Sequence, residues 1–140
     1  MTEQFNAQID AWVSKSEKRL LAIMRESAKR VGIESRKTRG EGGNMRVDTG
    51  FLRASFQSSL NAMPKIDINA RPDTGGRYAP NAAVELTIGR AELGNTIYMG
   101  FTASYARPRE YKDGFVRLAA QRWDVIVEAV TKEAKARING

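Results

Sequence analysis

The side chains available for chemistry in this 140-residue chain are carboxylates, lysines, arginines, tyrosines and hydroxyls. Histidine and cysteine are both absent from the sequence, so the commonest general base, the usual zinc ligands and every disulfide are excluded. The acidic residues form no motif-like pair of the kind that acid–base catalysis uses. We therefore predict no enzyme activity, no cofactor and no metal site.

The densest group of interaction-prone side chains lies between residues 105 and 111, where aromatic and charged residues alternate. Its members are Tyr105, Arg107, Arg109, Glu110 and Tyr111. Such a mixture can stack on the bases of a nucleic-acid strand and hold its phosphates. The same residue types are enriched at protein–protein interfaces. The residues alone leave both functions open.

A second basic group lies in a polar, glycine-rich stretch, residues 33–47, which we expect to be a flexible loop. It contains Arg36, Lys37 and Arg39, and Arg53 follows a few residues later. The loop has three interpretations: it contacts phosphates, it is a solvated tether, or it becomes ordered only against a neighbouring subunit. Its glycines do not follow a strand and open a helix with a lysine in place, so they predict no nucleotide site.

The net charge of +7 suggests a polyanion or an acidic protein surface as a partner. Residues 1–70 contain twelve Lys and Arg against eight acids, and residues 71–140 contain eleven against eight, so the excess is +4 and +3. Neither half is a basic arm. No segment approaches the length of apolar sequence that a membrane span requires, and no leader pattern is visible.

Apolar residues recur at helical spacing over residues 2–32 and predict a long N-terminal helix, capped by Thr2 and stopped by Gly32. The apolar stripe consists of Phe5, Ile9, Trp12, Val13, Leu20, Ile23, Met24, Ala28 and Val31. Thirty helical residues span roughly 45 Å, which exceeds what a domain of this size can cover. Either part of the helix projects or packs on another copy, or the helix breaks near residues 14–16.

The remaining pattern predicts a single α+β domain over residues 1–140. Asp48 and Thr49 would cap a short helix, and alternating apolar residues predict strands near residues 56–62, 66–68, 84–88 and 97–101, the last two forming a hairpin. A final helix, residues 113–138, would be capped by Asp113. We expect an antiparallel sheet of three to five strands within residues 48–112, packed against the C-terminal helix, with the long N-terminal helix and a mobile basic loop.

Three segments carry a resemblance to a known family: Val-Asp-Thr-Gly-Phe-Leu-Arg-Ala-Ser at residues 47–55, then Tyr105-Ala106 with Glu110, then Gly114-Phe115-Val116 with Ala119. Together they resemble the neck and tail-completion proteins of long-tailed bacteriophages, small proteins that join heads to tails. The resemblance spans residues 47 to 119. It implies a non-enzymatic structural protein of the virion, assembled in the bacterial cytoplasm as a homo-oligomeric ring, with a hexamer favoured and a dodecamer possible. Its partners would be the adjoining neck, connector and tail-tube proteins, with genomic DNA passing through the lumen and no membrane involved.

Two functions are therefore predicted for the chain, a phage neck component and, as the alternative, a small basic nucleic-acid-binding protein. An enzyme ranks behind both. The candidate subunit or partner contacts are Arg36, Lys37, Arg39, Arg53, Tyr105, Arg107, Arg109, Glu110 and Tyr111.

Overall fold

The computed structural model describes residues 2–47, 50–73, 78–79 and 81–139, with side chains up to Arg137. The predicted caps Asp48 and Thr49 lie outside the described residues. The helices are α1 (Thr2–Arg36), α2 (Phe51–Ala54), α3 (Ala83–Gly89), α4 (Ala106–Asp113), α5 (Phe115–Ala120) and α6 (Trp123–Asn139), and the strands are β1 (Phe56–Ser59) and β2 (Tyr98–Phe101). The fold is α+β, with a long N-terminal helix, a C-terminal helix and an antiparallel sheet, as the sequence predicts.

Helix α1 runs without a break for 35 residues. The alternative of a break near residues 14–16 is therefore wrong, and so is the predicted stop at Gly32. Gly32 is buried because the core approaches it closely: an added Cβ would lie 3.3 Å from Met99 Sδ and 3.4 Å from the Phe56 ring. This glycine serves helix packing, and the helix continues one further turn to Arg36.

The two halves of α1 differ in their surroundings. Residues 2–15 are all exposed, whereas burial within the core begins at Ser27 and Ala28. Residues 2–20, called here the α1 arm, extend about 28 Å at 1.5 Å per residue. The predicted projection of this helix beyond the core is thus present in the structure.

The sheet is antiparallel, with Phe56 opposite Phe101 and Ser59 opposite Tyr98. Within the described residues it contains two strands, so the predicted count of three to five is not confirmed. The segment around residues 66–68, predicted as a strand, lies beside the end of β2, where the Asp67 N–H donates to the Thr102 carbonyl at 2.9 Å. It forms no ladder.

Residues 84–88 are helical, so the predicted strand and its hairpin with residues 97–101 are wrong; β2 pairs with β1. Val84 and Ile88 stand one helical turn apart and are buried, while Leu86 faces solvent. The Asn81 side chain accepts a hydrogen bond from the Ala83 N–H at 3.0 Å, next to the start of the helix. The buried face of this short helix thus contains Val84 and Ile88 but not Leu86.

The predicted C-terminal helix over 113–138 is divided, and Asp113 is the last residue of α4 instead of a cap. Gly114 ends α4 in the left-handed conformation, at φ 67°, with its N–H bonded to the Glu110 carbonyl at 2.8 Å. Glycine is the residue that adopts this conformation without strain. The segment before Gly114 is the helix α4, which accommodates Pro108 because this residue lies in its first turn.

The predicted flexible loop over residues 33–47 also requires correction. Residues 33–36 belong to α1, and the chain then folds into a compact turn that contains a 3-10 helix (Arg39–Glu41) and a bridge between Thr38 and Met45. Gly43 passes so close to Lys37 that an added Cβ would lie 2.1 Å from its carbonyl oxygen. Met45 is 0% exposed within the core, so an apolar anchor holds this turn in place.

One ion pair ties α1 to α6. The Arg30 guanidinium donates to the Glu133 carboxylate, with Nη1 at 3.2 Å, and this hydrogen bond lowers the pKa of Glu133. The Arg30–Glu133 ion pair is therefore fully formed near neutral pH. Its contribution to stability is lost as the pH falls through the lowered pKa of Glu133.

We predict that Met45→Ala destabilises the protein by about 2–5 kcal/mol, because it removes a fully buried side chain and leaves a cavity. Met63→Ala is the matched control: Met63 is 53% exposed, and we expect a change within about 0.5 kcal/mol. Urea unfolding followed by circular dichroism measures both. Equal midpoints for the two variants would mean that the turn is detached from the core in solution.

Candidate interaction site

Four arginines line a cavity of about 960 Å³ between α2, the start of α4 and the segments around residues 46–47 and 71–72. They are Arg46, Arg53, Arg71 and Arg109. We call this cavity the arginine pocket. None of its described lining residues is acidic.

Helix α4 places Arg109 at the pocket, with Tyr105 immediately before the helix. Phe51 of α2 is one of the apolar lining residues, and its ring centroid lies 6.2 Å from that of Tyr105 and 4.9 Å from that of Tyr78. The pocket therefore combines aromatic side chains with several cationic donors.

A single carboxylate, that of Asp113, orients three arginines at this side of the molecule. Its oxygens lie 2.7 Å from Arg109 Nη2, 3.4 Å from Arg39 Nη2 and 3.8 Å from Arg46 Nε. The Asp113 side chain is only 3% exposed, whereas Arg39 and Arg46 are 52% and 60% exposed. One negative charge against three positive charges leaves an excess of two, with donors still directed to solvent.

The arrangement can bind anions. Each guanidinium presents a planar set of N–H donors that matches a carboxylate or a phosphate. Arg53 and Arg71 add two more cations to the group held by Asp113. Within residues 2–47, 50–73, 78–79 and 81–139, no three acidic side chains are placed to hold a metal ion.

Three of the predicted contact residues, Arg53, Tyr105 and Arg109, come together in the pocket. Arg39 is linked to them through Asp113. Glu110 instead caps the next helix, since its carboxylate accepts hydrogen bonds from the Val116 and Arg117 N–H groups at 2.7 and 3.0 Å.

The other predicted contacts lie elsewhere. Arg36 is 8% exposed; it donates to the Gly32 carbonyl at 3.1 Å and pairs with Glu85 at 3.2 Å. It is thus a structural residue and not a surface contact. The Lys37 ammonium nitrogen Nζ lies 4.0 Å from Oε2 of Glu34. Arg107 and Tyr111 are exposed on α4 and do not line the pocket.

Sequence reasoning missed three members of this site, Arg46, Arg71 and Asp113. A local signal existed for Asp113, because it follows Arg109 by four residues, the spacing of a helical ion pair. Arg46 and Arg71 carry no comparable signal, since only the tertiary fold brings them to α4.

Comparison with protein-family models, curated proteins and solved structures finds no match for this chain. Among the described residues, no helix combines the length and the apolar character needed to cross a membrane.

We predict that Asp113→Asn destabilises the protein by about 1–3 kcal/mol, because charge-assisted hydrogen bonds to a shielded carboxylate disappear while three arginines remain close together. Asp73→Asn is the control, since Asp73 is exposed and its substitution should cost no more than about 0.5 kcal/mol. Thermal unfolding in low salt compares the two variants. If Asp113→Asn melts with the wild type, the three arginines do not depend on this carboxylate.

Proposed function

We propose that the chain is a structural, non-enzymatic component of a tailed bacteriophage, which forms a homo-oligomeric ring in the neck between the capsid connector and the tail. One observation carries this proposal: the α1 arm exposes apolar side chains that the described part of the chain leaves uncovered. The exposed fractions are 61% for Phe5, 43% for Ile9, 68% for Trp12, 39% for Val13 and 59% for Leu20.

Such an arm favours an assembling protein over a solitary one. The five residues recur at helical spacing and therefore share one side of α1. Monomeric proteins rarely expose a contiguous apolar patch of more than a few hundred Å², and larger patches mark interaction sites. At about 150–250 Å² for a whole aromatic side chain, Phe5 and Trp12 alone expose roughly 200–300 Å². A complex in which a partner covers this side of α1 is stabilised by the burial of these apolar side chains.

The arginine pocket supplies a second contact in this proposal. The resemblance to neck proteins spans residues 47 to 119, and that range includes Arg53, Tyr105 and Arg109 of the pocket. Acidic side chains on an adjoining neck, connector or tail-tube protein are the natural ligands for its guanidinium groups. The ring would belong to the virion and assemble in the bacterial cytoplasm, with a hexamer as the favoured size.

The finer prediction of an antiparallel sheet with three to five strands is kept here as a proposal. The Asp67 N–H donates to the Thr102 carbonyl beside β2, and this contact favours the segment around residues 66–68 as the third strand.

A small nucleic-acid-binding protein is the second candidate, and the arginine pocket is the observation that favours it. Guanidinium groups bind phosphates as well as carboxylates, and a net charge of +7 attracts polyanions. Tyr105 at the pocket adds a ring on which a base could stack.

For the neck function, we predict that the purified protein forms closed rings in electron micrographs, and that phage lacking it accumulates separate heads and tails. Supplying the protein in trans should restore joining. Rings without any joining defect would show self-assembly with a different function, whereas a monomer that is dispensable for joining would contradict the proposal.

For the nucleic-acid alternative, we predict that Arg53→Gln combined with Arg71→Gln weakens DNA binding. The plot of log K against log salt should become shallower by about 1 for each phosphate that the double variant no longer neutralises. Arg107→Gln, combined with Arg137→Gln, is the control that removes the same charge from exposed positions outside the pocket. Fluorescence anisotropy with a labelled duplex gives both slopes, and equal effects in the two double variants would mean that charge alone, and not the pocket, binds the DNA.

A further inference from the structure

A second apolar surface lies on the body of the molecule. It is a cavity of about 600 Å³ between α1, β2 and the α5–α6 region, and we call it the apolar groove. Its lining includes Met24, Val31, Met99, Val116, Ala120 and Trp123. None of the described lining residues carries a charge, and the most polar are Ser35 and Asn95.

The α1 arm cannot fill the groove of its own chain. Met24 and Val31, which line the groove, and Phe5 and Trp12, which belong to the arm, lie on one continuous helix. Without a break between them, the arm extends away from the groove along the axis of that helix. Each copy therefore has an apolar arm and an apolar groove that cannot meet within it.

We propose that the α1 arm of one copy docks in the apolar groove of a neighbouring copy. This inference rests on the proposed ring, because it identifies the contact that builds it. Recognition would follow the helix-in-groove mode, in which anchors one helical turn apart enter an apolar cleft. Phe5, Ile9 and Trp12 have that spacing.

The length of the arm sets the area that it can offer to a neighbour. One side of a helix about 28 Å long and about 11 Å across presents roughly 500 Å². The groove would receive the anchor side chains of that side. Each copy makes this contact twice, once through its arm and once through its groove.

The contact is also of the type that forms rings. The arm and the groove are different surfaces, so the interface is heterologous, and repetition closes a ring or extends a filament. Pairing of two arms with each other would be isologous and would stop at a dimer. The apolar character of both surfaces means that assembly should persist at high salt, unlike binding through the arginine pocket.

Two charge substitutions separate these modes. Trp12→Glu places a charge on the arm and leaves the groove intact, and Val116→Glu places one in the groove and leaves the arm intact. Both positions are exposed, at 68% and 43%, so the fold should tolerate the changes. Ala120→Glu is a second groove variant, and Leu86→Glu, at a 65% exposed position outside both surfaces, is the matched control.

Size-exclusion chromatography with light scattering, in high salt, gives the mass of each species. We expect oligomers for the wild type and for Leu86→Glu, and monomers for Trp12→Glu and for each groove variant. An equimolar mixture of Trp12→Glu with Val116→Glu should form a dimer and nothing larger, because one intact arm meets one intact groove and the remaining pair is blocked. Circular dichroism confirms that each variant is folded.

Other outcomes overturn the contact. If the groove variants assemble like the wild type while Trp12→Glu is monomeric, the arms pair with each other. A mixture that stays monomeric excludes the arm–groove contact, and so does a wild type that is monomeric at every soluble concentration. The neck function is tested separately, by measuring head-to-tail joining in phage lacking the protein. If the mixture forms a 1:1 dimer but such phage join heads to tails normally, the arm–groove contact is supported and the neck function is rejected.

Discussion

The ring of Phe101 lies between the rings of Phe56 and Phe115, with centroid separations of 4.8 and 4.9 Å. These tilted and edge-to-face ring contacts join β1, β2 and α5. A two-stranded sheet is marginal in water without packing against other elements, so the strands depend on the helices that cover them. Gly32 lets α1 approach the Phe56 ring closely, and the Arg36 guanidinium lies 4.7 Å from the centroid of that ring. The end of α1, the sheet and α5 therefore share one apolar centre, and the arm is free to project because α1 is anchored there.

The sequence predicted the parts of the fold whose pattern has a single interpretation. A stripe of apolar residues over eight turns can only be a helix, and the alternation around β1 and β2 correctly indicated two strands. Their pairing with each other was not predicted, because residues 84–88 were expected to be the partner of β2. The prediction for residues 84–88 was wrong because their apolar pattern fits two structures. Val84, Leu86 and Ile88 alternate as in a strand, whereas Val84 and Ile88 alone are four residues apart, the spacing of one helical turn. Packing decided between these interpretations. Gly114 is a readable stop signal for α4, but Pro108 in the segment before it suggests a loop, so the helix itself was not predicted.

The candidate site was predictable where its members are neighbours along the chain. Tyr105 and Arg109 belong to one helical segment, so their proximity follows from local structure. Arg46 and Arg71 reach the same cavity only because β1, β2 and the turn around Met45 fold together. For Arg36 the sequence predicted a surface contact that the fold does not provide. Its position in a polar stretch suggested exposure, yet its long side chain covers Phe56 and pairs with Glu85. Burial of such a charge is tolerable because a carboxylate and a carbonyl satisfy it.

Among the described residues, none lines both the arginine pocket and the apolar groove, so one copy can use both at once. This separation matters for the strength of binding in the proposed ring. An exposed ion pair contributes only about 0–1 kcal/mol, which is too little for a single pocket to hold an acidic partner. A ring held by apolar contacts presents the pocket once per subunit in a fixed arrangement. Linked binding events then add through effective concentration, so the strength of the charged contact depends on assembly. On this argument, the charged contact of the proposed ring is stronger in the assembled state than in a single copy.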